Sequence, residues 1–398
     1  MLTNRPIKSL LVSTLFPSSE RPVHGIFVET RLRELLKSGA VQAEVIAPVP
    51  WFPFSNRVFG EYAQFARTPR TEVRDGITVH HPRYILPPKV GMNIAPHTLA
   101  RCVLPVAKSL MATGFDFDLI DAHYYYPDGV AAGIVAKALG KPFVVTARGT
   151  DLNLIPEYGY PRRLILDTAK AAHASIGVCS ALMDRLAELG ADSSKLHVFR
   201  NGVDLQRFVP EPRAEARRRL GVLPDARVLL SIGHLIERKG HHIAIEALVS
   251  MPPDHHLYVI GSGPQQNNLQ TLITRLGLTE RVHLTGIIPN TELKWWYSAA
   301  DALVLCSSRE GWANVLLESM ACGTPVVATN IWGTPEVVST PASGRLMRER
   351  TPQSLAQSVA KLFSDYPDRA SVRKHAENFS WTSTSQAQIR LFETVRNA

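Results

Sequence analysis

Short β-branched runs alternate with longer amphipathic stretches for most of this chain, and that alternation leaves few folds open to it. The runs expected as strands are Ser9–Thr14, Ala43–Ala47, Leu119–Ala122, Phe143–Ala147, Ser175–Val178, His197–Phe199, Val228–Gly233, His256–Gly261, Val282–Thr285, Ala302–Cys306 and Pro325–Thr329. Helical segments such as Phe27–Ser38, Ala131–Leu139 and Leu269–Leu276 lie between them. Strands separated by helices of this length read as βαβ units around a parallel sheet. No internal repeat is visible.

At 398 residues the chain exceeds what one hydrophobic core usually serves, so two domains are expected. The break falls in residues 206–226, QRFVPEPRAEARRRLGVLPDA, with three prolines and a cluster of arginines, after which the strand pattern restarts at Val228. This predicts an α/β protein of two doubly wound, Rossmann-like domains, residues 1–205 and 227–375, joined by a 206–226 linker. The last segment, 376–398, reads as a helix that packs back on the first domain. Facing one another, two such sheets open their carboxyl ends into one central cleft, where ligands bind.

Residues 51–110 interrupt the alternation. Arg57–Lys108 holds eight Lys/Arg against three Asp/Glu, with Trp51, Phe52, Phe54 and Phe59 before or inside it. One reading is a long surface excursion with a solvated basic face; the other is a patch facing an acceptor or a membrane. The formal charge of +9 suits anionic partners. Without a Lys/Arg block interleaved with aromatics, or zinc-finger spacing, nucleic acid is the weakest of these. The four cysteines, Cys102, Cys179, Cys306 and Cys322, are scattered and are expected as buried, reduced thiols. No apolar run reaches the roughly 18–20 residues that span a bilayer, and IKSLLVSTLF reads as a first buried strand rather than a signal peptide. A cytoplasmic protein is expected, with peripheral contact at the inner face of the membrane.

The stretch SSREGWANVLLESMACGTPVVAT, residues 307–329, carries the chemistry. A strand ends, a loop follows with Glu310 and Gly311, and a helix begins near Asn314. The free N–H groups of a helix N-terminus attract anions, and Gly311 lets a ligand approach the backbone. Glu310 can accept hydrogen bonds from hydroxyls, and Glu318 lies on the same helix face as Asn314. Two acceptors flanking exposed amides suit a ligand with hydroxyls at both ends and phosphates between, such as a sugar nucleotide. A lone glutamate early in a helix needs no ligand, since it already stabilises the dipole by about 0.3–1 kcal/mol.

This segment resembles the E-x7-E signature of the retaining family 4 glycosyltransferases of the GT-B fold, in a branch serving bacterial polysaccharide and teichuronic-acid-like polymers. Further stretches agree in order: Pro22–Phe27, PVHGIF; Asp118–His123, DLIDAH; Thr146–Asp151, TARGTD; Arg200–Asp204, RNGVD, followed by Phe208; Ser231–Gly240, SIGHLIERKG; and Ile260–Pro264, IGSGP. The resemblance implies that Glu310 holds hydroxyls of the donor sugar, with the N–H groups of Gly311, Trp312, Ala313 and Asn314 against sugar or phosphate. Glu318 would bind the ribose. Lys239 would neutralise the diphosphate with Arg238 beside it, Ile288 would pack the base, Gly25 would leave room for diphosphate or acceptor, and His123 would sit beside the transferred sugar.

On this resemblance the first domain serves the acceptor and the second the nucleotide-sugar donor. The enzyme would transfer a hexose or N-acetylhexosamine to a hydroxyl acceptor, a saccharide or lipid-linked saccharide, without a cofactor or metal. Two positions depart from the family pattern: His234 stands where arginine usually follows the glycine, and Arg148 where histidine often precedes one. The expectation is that Arg148 supplies the missing charge. The alternatives are a non-catalytic relative that binds nucleotide sugar or a partner, and a nucleotide-sugar epimerase. The histidine pairs His80-His81, His241-His242 and His255-His256 are expected at exposed loop positions rather than as metal ligands.

Overall fold

The computed structural model describes residues 5–87 and 90–397. In chain order its strands are β1 (Ile7–Val12), β2 (Val41–Ile46), the two-residue β3 (Val49–Pro50), β4 (Thr71–Arg74), β5 (Ile77–His80), the two-residue β6 (Arg83–Tyr84), β7 (Leu119–His123) and β8 (Phe143–Ala147). There follow β9 (Ala174–Gly177), β10 (Leu196–Val198), β11 (Arg227–Ile232), β12 (His255–Ile260), β13 (Val282–Gly286), β14 (Ala302–Leu305), β15 (Val326–Thr329) and β16 (Gly344–Met347). The chain divides into two compact units, residues 1–200 with 382–398, and residues 201–381.

The first unit is built on an eight-stranded sheet in the order β10-β9-β8-β7-β1-β2-β5-β4. All its pairings are parallel except β4 against β5. Central strands are buried nearly throughout, FVVTA at every position and IKSLLV at all but Lys8, because helices cover both faces. Leu11, Val28, Leu32, Val45 and Val79 form one cluster, and Ile7, Leu119, Val144 and Ile176 form a second against Phe392 and Val395 of the C-terminal helix Trp381–Arg396; Ile7 and Leu11, four residues apart on β1, put both clusters on the same face of the sheet.

Within residues 51–110 two regular elements stand out among the described residues. These are the pair β4 and β5, which extends the sheet, and a 22-residue helix, Gly91–Ala112, that runs through Pro96 and Pro105. Its apolar stripe Ala95, Leu99, Val103 and Ala107 is buried at i, i+4 spacing, and this burial outweighs the hydrogen bonds that the prolines remove.

The second unit has a six-stranded parallel sheet, β13-β12-β11-β14-β15-β16. Its core gathers Leu229, Leu257, Val259, Val304 and Val327 with helix residues Ile243, Leu272, Leu355 and Leu362. Residues 206–226, expected as a linker, carry the helix Arg213–Leu220. Arg213 and Arg217 of this helix bond the buried Asp301, which also accepts from Val228 N–H at 2.7 Å, so the arginine cluster is part of the second unit's packing.

The cysteines are free, with Cys179, Cys306 and Cys322 buried and Cys102 partly so. The histidine pairs are not exposed loop residues: His81, His241 and His255 are buried, on or beside regular elements. His81 Nδ1 donates to the Ala47 carbonyl at 2.9 Å, and His241 Nδ1 pairs with Ser231 Oγ at 2.8 Å. Among the described residues no helix is long and apolar enough to cross a membrane.

Candidate functional site

In the second sheet the strand order reverses between β11 and β14, and ligands of doubly wound sheets bind at the carboxyl ends beside such a reversal. The loops leaving these two strands hold Gly233–Gly240 and Cys306–Ala313. They touch through Gly240, which has φ +72°; a Cβ there would lie 2.1 Å from the Cys306 carbonyl oxygen. Glycine is required by that contact. Ser308 N–H also donates to the Arg238 carbonyl at 2.8 Å, and Arg350 caps the Cys306 carbonyl at 2.8 Å.

This closeness brings Lys239, Arg238 and Glu310 together. Glu310 is 8% exposed, and its Oε1 accepts from Lys239 Nζ and from Ser307 Oγ, each at 2.6 Å. Arg238 Nη1 is 3.8 Å from the same oxygen and donates to the Arg309 carbonyl at 2.6 Å. Burial pushes the Glu310 carboxyl upward, but Lys239, Ser307 and Arg238 outweigh it and hold the group below the ordinary carboxylate range. Glu310 is therefore charged at neutral pH and paired with the lysine. Ser307 was not legible as a site residue; its place three residues before Glu310 is the only signal.

Gly311, Trp312 and Ala313 are buried and lead into the helix Asn314–Ala321, which no side chain caps. Its first amides lack intrahelical partners by construction. The Trp312 indole N–H is buried without a hydrogen-bond partner, and Asn314 Oδ1 accepts from Asn201 at 3.3 Å. Glu318, five residues into this helix counting Asn314, accepts from the buried Tyr297 hydroxyl at 2.7 Å. Burial raises the Glu318 carboxyl above its ordinary value, with Tyr297 and Arg207 opposing. His234 is exposed in the β11 loop, and Ile288 is half-buried just beyond β13 at the sheet edge.

In the first unit the order reverses at β1, between β2 and β7. Gly25 caps the helix Ile26–Leu36 with φ +68°, and a Cβ would fall 2.2 Å from the Leu15 carbonyl oxygen. His123 ends β7 and is 1% exposed. Its Nε2 lies 3.0 Å from Asp121 Oδ2, and its Nδ1 meets Arg148 Nη2. An arginine only donates, so Nδ1 accepts, and the ring proton sits on Nε2 facing Asp121. Burial, with Arg148 and Arg31 adding to it against Asp121, lowers the His123 pKa to about 4. The imidazole is neutral at pH 7.

Arg148 is buried beside this ring, and its guanidinium lies 5.6 Å from the centre of the Phe27 ring. Gln388 of the C-terminal helix ties the group together, accepting from Arg31 Nε at 2.9 Å and donating to Asp121 Oδ2 at 3.2 Å. Asp121, Arg31 and Gln388 were not foreseen, and no motif marks Gln388, which lies 267 positions from Asp121. Among the described residues no group of three or more His, Cys, Asp or Glu is placed to hold a metal ion.

The family model for glycosyl transferases group 1 matches residues 212–379, and that for Glycosyltransferase Family 4 matches residues 27–207. TuaC of Bacillus subtilis (strain 168), named for teichuronic acid biosynthesis as a glycosyltransferase, is 31% identical over 364 residues, 89% of each chain. D-inositol 3-phosphate glycosyltransferase 1 of Catenulispora acidiphila is 32% identical over 355 residues, 83% of each. Among solved structures, Anabaena HepE in complex with UDP superposes with TM-score 0.72 at 22% identity, covering 96% of this chain and 98% of that one. Sucrose-phosphate synthase of Thermosynechococcus elongatus does so with TM-score 0.77 at 18% identity, covering 98% and 99%. Two Rossmann-like units, an engaged glutamate and lysine at a strand-order reversal, and relatives matched across most of their length identify the chain as a glycosyltransferase of family 4, with the GT-B fold.

Proposed function

We propose that this glycosyltransferase moves a hexose or N-acetylhexosamine from a nucleoside-diphosphate sugar to a hydroxyl of a lipid-linked saccharide, with retention at the anomeric carbon, in cell-surface polysaccharide assembly at the inner face of the membrane. The observation that carries this reading is the Lys239–Glu310–Ser307 group at the carboxyl ends of β11 and β14, beside the uncapped N-terminus of Asn314–Ala321. As the sugar–phosphate bond breaks, its electron pair goes to the diphosphate. Lys239, Arg238 and the amides of Gly311 to Asn314 meet that charge without calling on a metal, and fixed dipoles aimed at developing charge lower the barrier. Glu310 accepts from sugar hydroxyls and Glu318 from the ribose. The acceptor oxygen attacks from the face the diphosphate leaves, and its proton passes to a phosphate oxygen, so no side-chain base is needed.

Thermal denaturation with UDP, GDP, ADP and their sugars tests the donor site, in the wild type and in Glu318→Ala. A nucleotide at about 100 times its Kd should add roughly 2.7 kcal/mol. One base should stabilise the wild type, and the variant should lose most of that. If no nucleotide moves the melt, or Glu318→Ala responds like the wild type, the donor site is misassigned. The anomeric configuration of the product, read by NMR, tests retention.

A further inference from the structure

Residues 51–62, WFPFSNRVFGEY, fold into a cluster of rings that pack on one another instead of on the core. Phe52 is its hub, with ring centres 5.9 Å from Phe54, 5.6 Å from Phe59 and 5.3 Å from Tyr62, while Phe54 and Phe59 stack at 5.1 Å. The outer side chains stay in solvent: Val58 is 79% exposed, Tyr62 60%, Trp51 57% and Phe54 54%. Asn56 caps the turn Arg57–Phe59, and Arg67 of the helix Glu61–Arg67 bonds Glu20 and the Ser55 carbonyl, so the cluster is held in shape.

A second exposed apolar run lies alongside. Trp51 N–H donates to the Tyr84 carbonyl at 2.7 Å, and the next residues, Ile85 and Leu86, are exposed, as are Val90 and Met92. Thr98 of the helix Gly91–Ala112 pins the Ile85 carbonyl at 2.8 Å. Exposed apolar side chains this concentrated mark an interaction site. Arg57 lies in the turn of the cluster itself, and Arg70 is close enough to act on Arg83, the neighbour of Tyr84; both are exposed, and among the described residues neither has an ion-pair partner. Glu61 is the exposed carboxylate here, and it lies close enough to act on Arg21 and His24.

We infer that this aromatic cluster, ringed by Arg57 and Arg70, is a membrane-docking surface that seats in the headgroup region of an anionic lipid bilayer. Phe, Trp and Tyr rings favour the water–lipid boundary, and cations at the rim answer anionic headgroups. This rests on the lipid-linked acceptor proposed above, and names the part of the chain that would hold the enzyme at the surface bearing it.

Flotation of the full chain with vesicles tests it, using phosphatidylglycerol/phosphatidylethanolamine against phosphatidylcholine alone. The wild type should float with the anionic vesicles and less with the neutral ones. The variant Phe54→Ser/Val58→Ser/Tyr62→Ser keeps Phe52 and changes only exposed positions; Arg57→Glu/Arg70→Glu changes the charge. Each should lower partitioning by about tenfold or more, with melting temperature and nucleotide-induced shift unchanged. A wild type that floats with no vesicle, as expected of a protein-binding patch, overturns the inference. So does a triple variant that floats like the wild type. Turnover of a detergent-dispersed lipid-linked saccharide separates the two readings. Turnover without flotation defeats the surface alone, and flotation through the patch without turnover defeats the acceptor alone.

Discussion

Replacing Lys239 by methionine should leave the Glu310 carboxylate buried with a weakened set of partners: the Ser307 hydroxyl at 2.6 Å and Arg238 at 3.8 Å. Removing one partner of a buried ion pair costs about 3–5 kcal/mol. Lys239 keeps 17% of its side chain exposed and Arg238 remains, so the loss expected in the second unit is about 2–3 kcal/mol. Glu310→Gln should cost less, about 1 kcal/mol, because water can reach the orphaned ammonium. The double variant should lose less than the sum of the two.

The pH dependence supplies the sharper test. In the wild type the carboxyl lies below its ordinary value, so its stabilisation is complete above the unfolded pKa and is lost as pH falls through the folded one. In Lys239→Met burial dominates and raises the carboxyl. The folded variant then binds a proton more readily than the unfolded chain, and it gains stability as pH falls toward the unfolded pKa. The gap between the two proteins is therefore widest near pH 7.5 and narrows near pH 5. Urea unfolding followed by tryptophan fluorescence reads this unit, which holds Trp295, Trp296, Trp312, Trp332 and Trp381, five of the six tryptophans. Additive losses, with coupling below about 0.5 kcal/mol, or a gap equal at both pH values, refute the reasoning.

Tyr297→Phe removes the hydroxyl that meets Glu318 at 2.7 Å, and should cost about 1–2 kcal/mol in unfolding free energy and weaken nucleotide-induced stabilisation; an unchanged UDP shift argues that Tyr297 does not position Glu318. His123, with its pKa near 4 against about 6.5 unfolded, should show a ring NMR signal that stays in the neutral form down to about pH 5, and titration near pH 6.5 contradicts the buried network. Because the unfolded chain binds the extra proton in that window, His123 contributes a loss of stability as pH falls from about 6.5 to about 4. Gly25→Ala puts a Cβ 2.2 Å from the Leu15 carbonyl in left-handed backbone, and should cost at least about 2 kcal/mol by thermal melting; a neutral result means that the loop re-forms.

All eleven strands expected from the sequence are present, within a residue or two at their ends, because a strand buried on both faces must be apolar along its length. The five strands missed, β3 to β6 and β16, have other constraints. β3 and β6 have two residues each, β4, TEVR, sits at the sheet edge, half in water, with β5 pairing against it, and β16, GRLM, is short and interrupted by an arginine. The helix Gly91–Ala112 was hidden by its prolines, though Ala95, Leu99, Val103 and Ala107 spell its buried face. Local propensity argued for a break there, and tertiary burial prevailed.

The site divides differently. Glycines in its motifs are legible as fold: Gly25 and Gly240 are where one backbone touches another, so they are required with or without a ligand. Glu310, Lys239 and Glu318 are legible as candidates, but the protonation states of the two carboxyls are not. Those are set by Ser307, Arg238 and Tyr297, and for His123 by Asp121 and Arg148, with Gln388 reaching in from a helix at the far end of the chain. A side chain's charge depends on everything within a few ångströms, and sequence order does not record that neighbourhood. Hence His123 and Arg148 must be read together. With Arg148 donating to Nδ1 and Asp121 facing Nε2, both ring nitrogens are taken, and what His123 can offer a sugar beyond its shape depends on that network opening.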